Sequence, residues 1–204
     1  MNFSEINDKE LKELLRGLSF AIKKIGEEYF KLDLASEDNK EHYKYRERVY
    51  CYEFYHQLRN TLGCDYPYVI NGEIDKKDHP IIASNKNPDF VIHNPGNMKQ
   101  NFVIMEVKNL EGFSKSKRKN DIEKFITFFE ECNYQYAIYL IYGEKENENT
   151  FKENRENLED QIKKKLSGSD KNLKYKKVIV LWHNDIRGEI DYDIISLPKK
   201  QRRL

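Results

Sequence analysis

Apolar side chains recur every three or four residues over 8–32, where Leu11, Leu14, Leu18, Ile22, Ile25, Tyr29 and Leu32 would line one face of a helix. Asn7 followed by Glu10 resembles a capping box at its start, with Asn in place of Ser or Thr. The polar stretch 34–40 breaks the repeat, and Asp38 with Glu41 restarts a helix that the spacing predicts over 39–62. Tyr50, Phe54, Leu58 and Leu62 form its apolar stripe, Glu53 and Gln57 run along the edge of that stripe, and Gly63 stops the helix.

The period then changes. A strand over 66–75 begins at Pro67 and carries a tight turn or bulge at Asn71-Gly72. A loop at 76–80 and a short apolar piece at 81–83 lead into two strands. Pro88 and Asp89 open the first, which contains Val91 and Ile92; the second covers 102–108, and Asn94-Pro95-Gly96-Asn97 supplies the turn between them. Residues 114–131 read as a helix with Ile122, Phe125, Ile126 and Phe129 on one side. The unbroken apolar runs 136–142 and 178–182 read as buried strands. Between them, 146–166 is a charged helix with a thin stripe of Phe151, Leu158, Ile162 and Leu166; a last strand covers 190–197 and a basic tail 199–204.

This order predicts an α/β fold in which a mixed central sheet is flanked by helices, with 114–131 and 146–166 crossing between parallel strands. The expected organisation is one domain: an N-terminal helix within 1–37 packed on a core of 38–198.

Composition narrows the chemistry. The net charge of +1 gives no bulk attraction to nucleic acid, so any such contact must come from local clusters. Cys51, Cys64 and Cys132 form no CxxC pair, which argues against a zinc site and for a reducing compartment. No apolar run approaches a membrane span and no leader pattern is visible, so the expectation is a soluble, cytoplasmic protein without a membrane partner. A phosphate-binding GxxxxGK[ST] loop and the HxE…PCxxC deaminase pattern are both missing.

The stretch 87–109 holds the candidate chemistry. Side chains alternate along a strand, so Glu106 and Lys108 share a face while Val107 points to the other. Buried charge is costly unless paired or bound to a cation. Taken by themselves, Asp89 and Glu106 are either strand-end charges in solvent or a pair around an ion, and Lys108 is either a partner for Glu106 or a catalytic group.

Pro88-Asp89, a gap, and then Glu106-Val107-Lys108 resembles the signature of the PD-(D/E)xK nuclease superfamily, with the likeness covering residues 41–145. That superfamily includes type II restriction enzymes, Holliday-junction resolvases and repair and defence nucleases. The resemblance implies a restriction-endonuclease-like αβββαβ core with an N-terminal helical addition. It implies that Asp89 and Glu106 hold Mg²⁺, for which Mn²⁺ can substitute, and that Lys108 positions or polarises the attacking water. In many members the first core helix adds a Glu. Glu53 is the expected one here; Glu47, between Arg46 and Arg48, reads as solvated.

Glu73 and Asp75 share a strand face and are further candidate ligands or an edge charge pair; His56, Gln57 and Asn109 are candidate supports. His79 and His93 read as surface histidines. Lys115, Lys117, Arg118 and Lys119 open the helix after Lys108 and are the expected nucleic-acid contacts, with Lys163, Lys164, Lys165, Lys171, Lys174, Lys176 and Lys177 a weaker second set. The expected function is metal-dependent hydrolysis of DNA phosphodiester bonds, with restriction or phage defence as the associated role. A non-cleaving DNA-binding or regulatory subunit and an RNA-directed nuclease stay open, as does a homodimer.

Overall fold

Asn101–Asn109 and Tyr136–Tyr142 lie at the centre of a six-stranded sheet in a computed structural model, which describes residues 3–34, 42–72, 87–169 and 173–197. The chain begins with helices α1 (Lys9–Ile22) and α2 (Glu27–Phe30), a hairpin of β1 (Leu32–Leu34) and β2 (His42–Lys44), and helix α3 (Glu47–Leu62). Strands β3 (Val69–Gly72), β4 (Phe90–His93) and β5 (Asn101–Asn109) follow, then α4 (Lys115–Glu131), β6 (Tyr136–Tyr142), α5 (Glu148–Ser167), β7 (Lys177–His183) and β8 (Asp191–Ile195).

The sheet order is β3-β4-β5-β6-β7-β8. Strands β5, β6 and β7 are parallel, joined by the crossover helices α4 and α5, while β3, β4 and β8 add antiparallel edges. Alternation along β5 and β6 divides the core. Met105, Val107, Ile138 and Leu140 pack with Leu14 and Leu18 of α1 and with Tyr50, Phe54 and Leu58 of α3. Ile104, Ala137, Tyr139 and Ile141 pack with Ile122, Phe125 and Phe128 of α4 and with Leu158 and Ile162 of α5. The result is a mixed α/β molecule of three layers, as the periodicity predicts. No helix among the described residues is long and apolar enough to cross a membrane.

The N-terminal third departs from the expected helices. The repeat over 8–32 is one face but not one helix: α1 ends at Ile22, and Gly26 is extended (φ −71°, ψ 160°) before α2 begins. Glycine, the poorest non-proline helix former, is where the chain turns. Asp8, rather than Asn7, caps α1, its Oδ1 accepting from Leu11 N at 2.9 Å. The helix expected over 39–62 starts only at Glu47, because 42–44 pair with 32–34 as β2. Asp38, Glu41, Glu73, Asp75, His79, the apolar piece 81–83, Lys171 and the basic tail lie outside the described residues.

One irregularity positions the site. β4 pairs with β5 only as far as Phe90↔Met105. Residues 106–109 of β5 keep β6 on one side but have no β4 partner on the other.

Candidate active site

Where β4 leaves the sheet, β5 presents backbone N–H groups that no strand among the described residues accepts. Such donors must find other partners. Asp89, the residue just before β4, answers the first: its Oδ2 accepts from Val107 N at 2.7 Å. Glu47 answers the next one along, with Oε2 3.4 Å from Asn109 N. Alternate N–H groups of a strand point the same way, so the two carboxylates stand side by side along one edge of β5.

Glu47 is the first residue of α3 and continues its buried stripe, lying three residues before Tyr50 and seven before Phe54. Its side chain is thereby turned to the sheet. Oε1 accepts from Lys108 Nζ at 2.8 Å, and Oε2 is 3.3 Å from Asn109 Nδ2. Asn109 in turn accepts from Gly112 N at 2.6 Å and fixes the loop leading to α4. Glu53 does not take the helix position in this group. Its Oε1 accepts from Gln57 Nε2 at 2.6 Å. At 3.6 residues per turn it lies about 200° around the helix from Cys51, which lines a cavity with Asp89. That cavity, about 390 Å³, is walled by Cys51, Tyr52, Tyr55, Asn71, Gly72, Asp89 and Phe90. The assignment of Glu47 as solvated is corrected in the same way: Arg46 and Arg48 flank it in sequence, but the helical turn separates their directions.

Glu106 points to the α4 layer and is fully buried. Its Oε2 accepts from Lys124 Nζ at 2.6 Å, while Oε1 has no hydrogen-bond partner among the described residues. Lys124 Nζ is also 3.6 Å from Asp121 Oδ1, and Asp121 Oδ2 accepts from the Tyr139 hydroxyl at 2.8 Å. Burial, and then the charge of Asp89, push the Glu106 carboxyl well above the ordinary carboxylate range, with Lys124 pulling the other way. Burial also raises Asp89, against the Val107 N–H and the ammonium groups of Lys108 and Lys124. Lys108 is lowered by burial, but the Glu47 hydrogen bond and the charges of Asp121, Glu47 and Asp89 outweigh this and hold its pKa above the ordinary value.

Among the described residues, no three Asp, Glu, His or Cys side chains gather closely enough to hold an ion by themselves. The residues nevertheless fit a hard divalent cation. Asp89 and Glu106 offer carboxylate oxygens whose charges oppose each other, and Glu106 Oε1 is a buried acceptor to which none of the described residues donates. Mg²⁺ suits a set of one or two carboxylates completed by water and phosphate oxygens.

Of the expected nucleic-acid contacts, Lys115, Lys117 and Lys119 are exposed on the first turns of α4. Arg118 is not with them. It is 7% exposed, its guanidinium lies 4.8 Å from the Phe113 ring centre, and its Nη1 is 3.4 Å from Asn154 Oδ1. His56 pairs with Asn60, and His93 with Asn71. Asp121 had a trace in the sequence: Arg118, Asp121, Phe125 and Phe128 keep three- and four-residue spacing, so a carboxylate and a guanidinium sit on an otherwise apolar stripe; Lys124, off that stripe, had none. The chain matches no family model, no curated protein and no solved structure.

Proposed function

We propose that the protein is a Mg²⁺-dependent nuclease of the PD-(D/E)xK type that hydrolyses phosphodiester bonds of DNA. The observation that carries the reading is the meeting of Glu47, Asp89 and Lys108 at the unpaired end of β5, with Glu106 two residues from Lys108 on the same strand face. The element order α3-β3-β4-β5-α4-β6 runs as αβββαβ, which supports a restriction-endonuclease-like core with α1 and α2 as the N-terminal addition. A cytoplasmic role in restriction or phage defence belongs to the proposal by association with that superfamily.

In this mechanism Asp89 and Glu106 would hold the ion, with Mn²⁺ able to substitute. When bound it supplies an activated water and screens charge on the leaving oxygen. The chain's own groups do the rest. Glu47 fixes the Lys108 ammonium by a hydrogen bond, and the surrounding carboxylates keep it protonated. Lys108 therefore acts as a donor that orients water and phosphate, not as a base. Lys115, Lys117 and Lys119 would meet flanking phosphates without choosing sequence.

The pairing of Glu106 with Lys124 favours a second reading, a non-cleaving DNA-binding member in which a lysine has replaced the ion. One experiment separates them: cleavage of single- and double-stranded DNA and RNA with Mg²⁺, Mn²⁺ or EDTA, for wild type and Asp89→Asn. Metal-dependent cutting of DNA that Asp89→Asn abolishes supports the nuclease. DNA binding with no cutting under any condition supports the second reading, and cutting confined to RNA changes the substrate.

A further inference from the structure

We propose that Lys124 is a tethered cation that holds the place of the divalent ion at Glu106 and yields it by moving to Asp121. The proposal rests on the nuclease reading above and adds a residue that its signature does not contain. A carboxylate as buried as Glu106 needs a counter-charge, and Lys124 is the ammonium that reaches it. The fit is incomplete, because the lysine satisfies Oε2 and leaves Oε1 without a partner among the described residues. A hard cation accepting electron pairs from both oxygens would satisfy what one ammonium does not.

A displaced ammonium needs somewhere to go, and the second acceptor is already built. Asp121 lies one turn earlier on α4 and is 4% exposed, with Oδ2 fixed by the Tyr139 hydroxyl. Its Oδ1 faces Lys124 at 3.6 Å, against 2.6 Å for Glu106 Oε2. A shift of about one ångström towards Oδ1 brings the ammonium into hydrogen-bond range of Asp121, within the freedom of a lysine stem. Lys124 Nζ also lies 3.3 Å from the carbonyl of Asn87, two residues before Asp89, and its charge is felt at the Asp89 carboxyl as well as at Glu106.

The test is calorimetric titration of the full chain with MnCl₂, on wild type, Lys124→Gln, Asp121→Asn and the double variant. Removing the competitor should tighten Mn²⁺ binding about tenfold, the scale of one strongly coupled pair. Asp121→Asn should weaken binding in the wild-type background by removing the second acceptor, and should have little effect once Lys124 is gone. An equal loss in both backgrounds would mean that Asp121 acts only through its field and overturns the relocation. Equal or weaker binding by Lys124→Gln, with wild type binding normally, overturns the proposal and leaves the nuclease standing. Uptake by neither wild type nor Lys124→Gln overturns both. Because Lys124→Gln strips a buried carboxylate of its partner, its folding is followed alongside. If it is unfolded without ion, Mn²⁺ should restore it, and a chain that stays unfolded with Mn²⁺ sinks the proposal.

Discussion

Glu47 Oε1 and Lys108 Nζ meet at 2.8 Å across 61 residues of sequence, joining the start of one helix to the end of the strand beneath it. For the proposed nuclease this contact sets Glu47 apart from Glu53. Glu47→Gln removes the charge that holds the ammonium in place, and a misplaced catalytic group costs on the order of 10²-fold in rate. Glu53→Gln alters, among the described residues, a contact with Gln57 whose amide can still donate to the remaining oxygen, and should cut at close to the wild-type rate. Single-turnover cleavage by the two variants decides between these acids. A slow Glu53→Gln beside a normal Glu47→Gln would reverse the assignment.

Asp89→Asn should separate ion binding from architecture. The asparagine oxygen can still accept from Val107 N, so the edge of β5 stays capped. One of two proposed ligand charges is lost, and a cation held by so few protein groups should bind much more weakly. Cleavage should fall by orders of magnitude with little change in the unfolding midpoint. Lys108→Ala should do the reverse, keeping Mn²⁺ affinity while losing turnover. Calorimetry and cleavage on both variants check this, and normal cutting by Asp89→Asn removes Asp89 from the site.

The strands and crossover helices were legible because their signals are local. The run at 136–142 is apolar throughout, and the stripe at 122–129 has helical spacing. The pair Glu106 and Lys108 could be placed on one face from alternation alone. What could not be read is where β4 stops pairing with β5, since that depends on a register set by tertiary contact. Without it, Glu47 looks like a charge between two arginines. The spacing of three to Tyr50 puts Glu47 on the buried stripe, and the start of α3 at residue 47 instead of 39 sets it at the helix end, within reach of Lys108 and Asn109. The break at Gly26 and the β1–β2 pairing were hidden for the same reason.

The α4 cluster divides into surface and core. Replacing Lys115, Lys117 and Lys119 together with Ala should weaken DNA binding and flatten its salt dependence, by about 0.9 in the log–log slope for each phosphate no longer neutralised. Arg118→Ala should instead lower the unfolding midpoint, because it removes a buried cation stacked on Phe113. Filter binding across a salt series and a thermal melt read the two effects. An Arg118 variant that melts normally but loses DNA would return that residue to the interface.

Ion-free stability should carry two opposite pH dependences. His183 is buried and shares a hydrogen bond with the Tyr50 hydroxyl, and burial lowers its pKa from 6.5 to about 4. A base with a depressed pKa contributes stability that is complete above the unfolded value and is lost as pH falls from 6.5 towards 4; that interval corresponds to about 3 kcal/mol. Glu106 has the opposite sign. Its raised pKa means that the folded state binds the proton more tightly, so its stability is present below about 4.5 and is lost as pH rises towards the folded value. Asp89 adds to the same trend. Glu106→Gln cannot ionise, so the variant should gain on wild type as pH rises from 4.5, provided no divalent ion is present. Adding Mg²⁺ should stabilise wild type and close that gap, since an ion bound only to the folded state shifts the equilibrium by mass action. Melts of both proteins across this range, with EDTA or Mg²⁺, test the carboxylate, and an NMR titration of the His183 ring tests the base. Parallel melting curves for wild type and Glu106→Gln at every pH would show that Glu106 does not carry the strained charge on which the ion site depends.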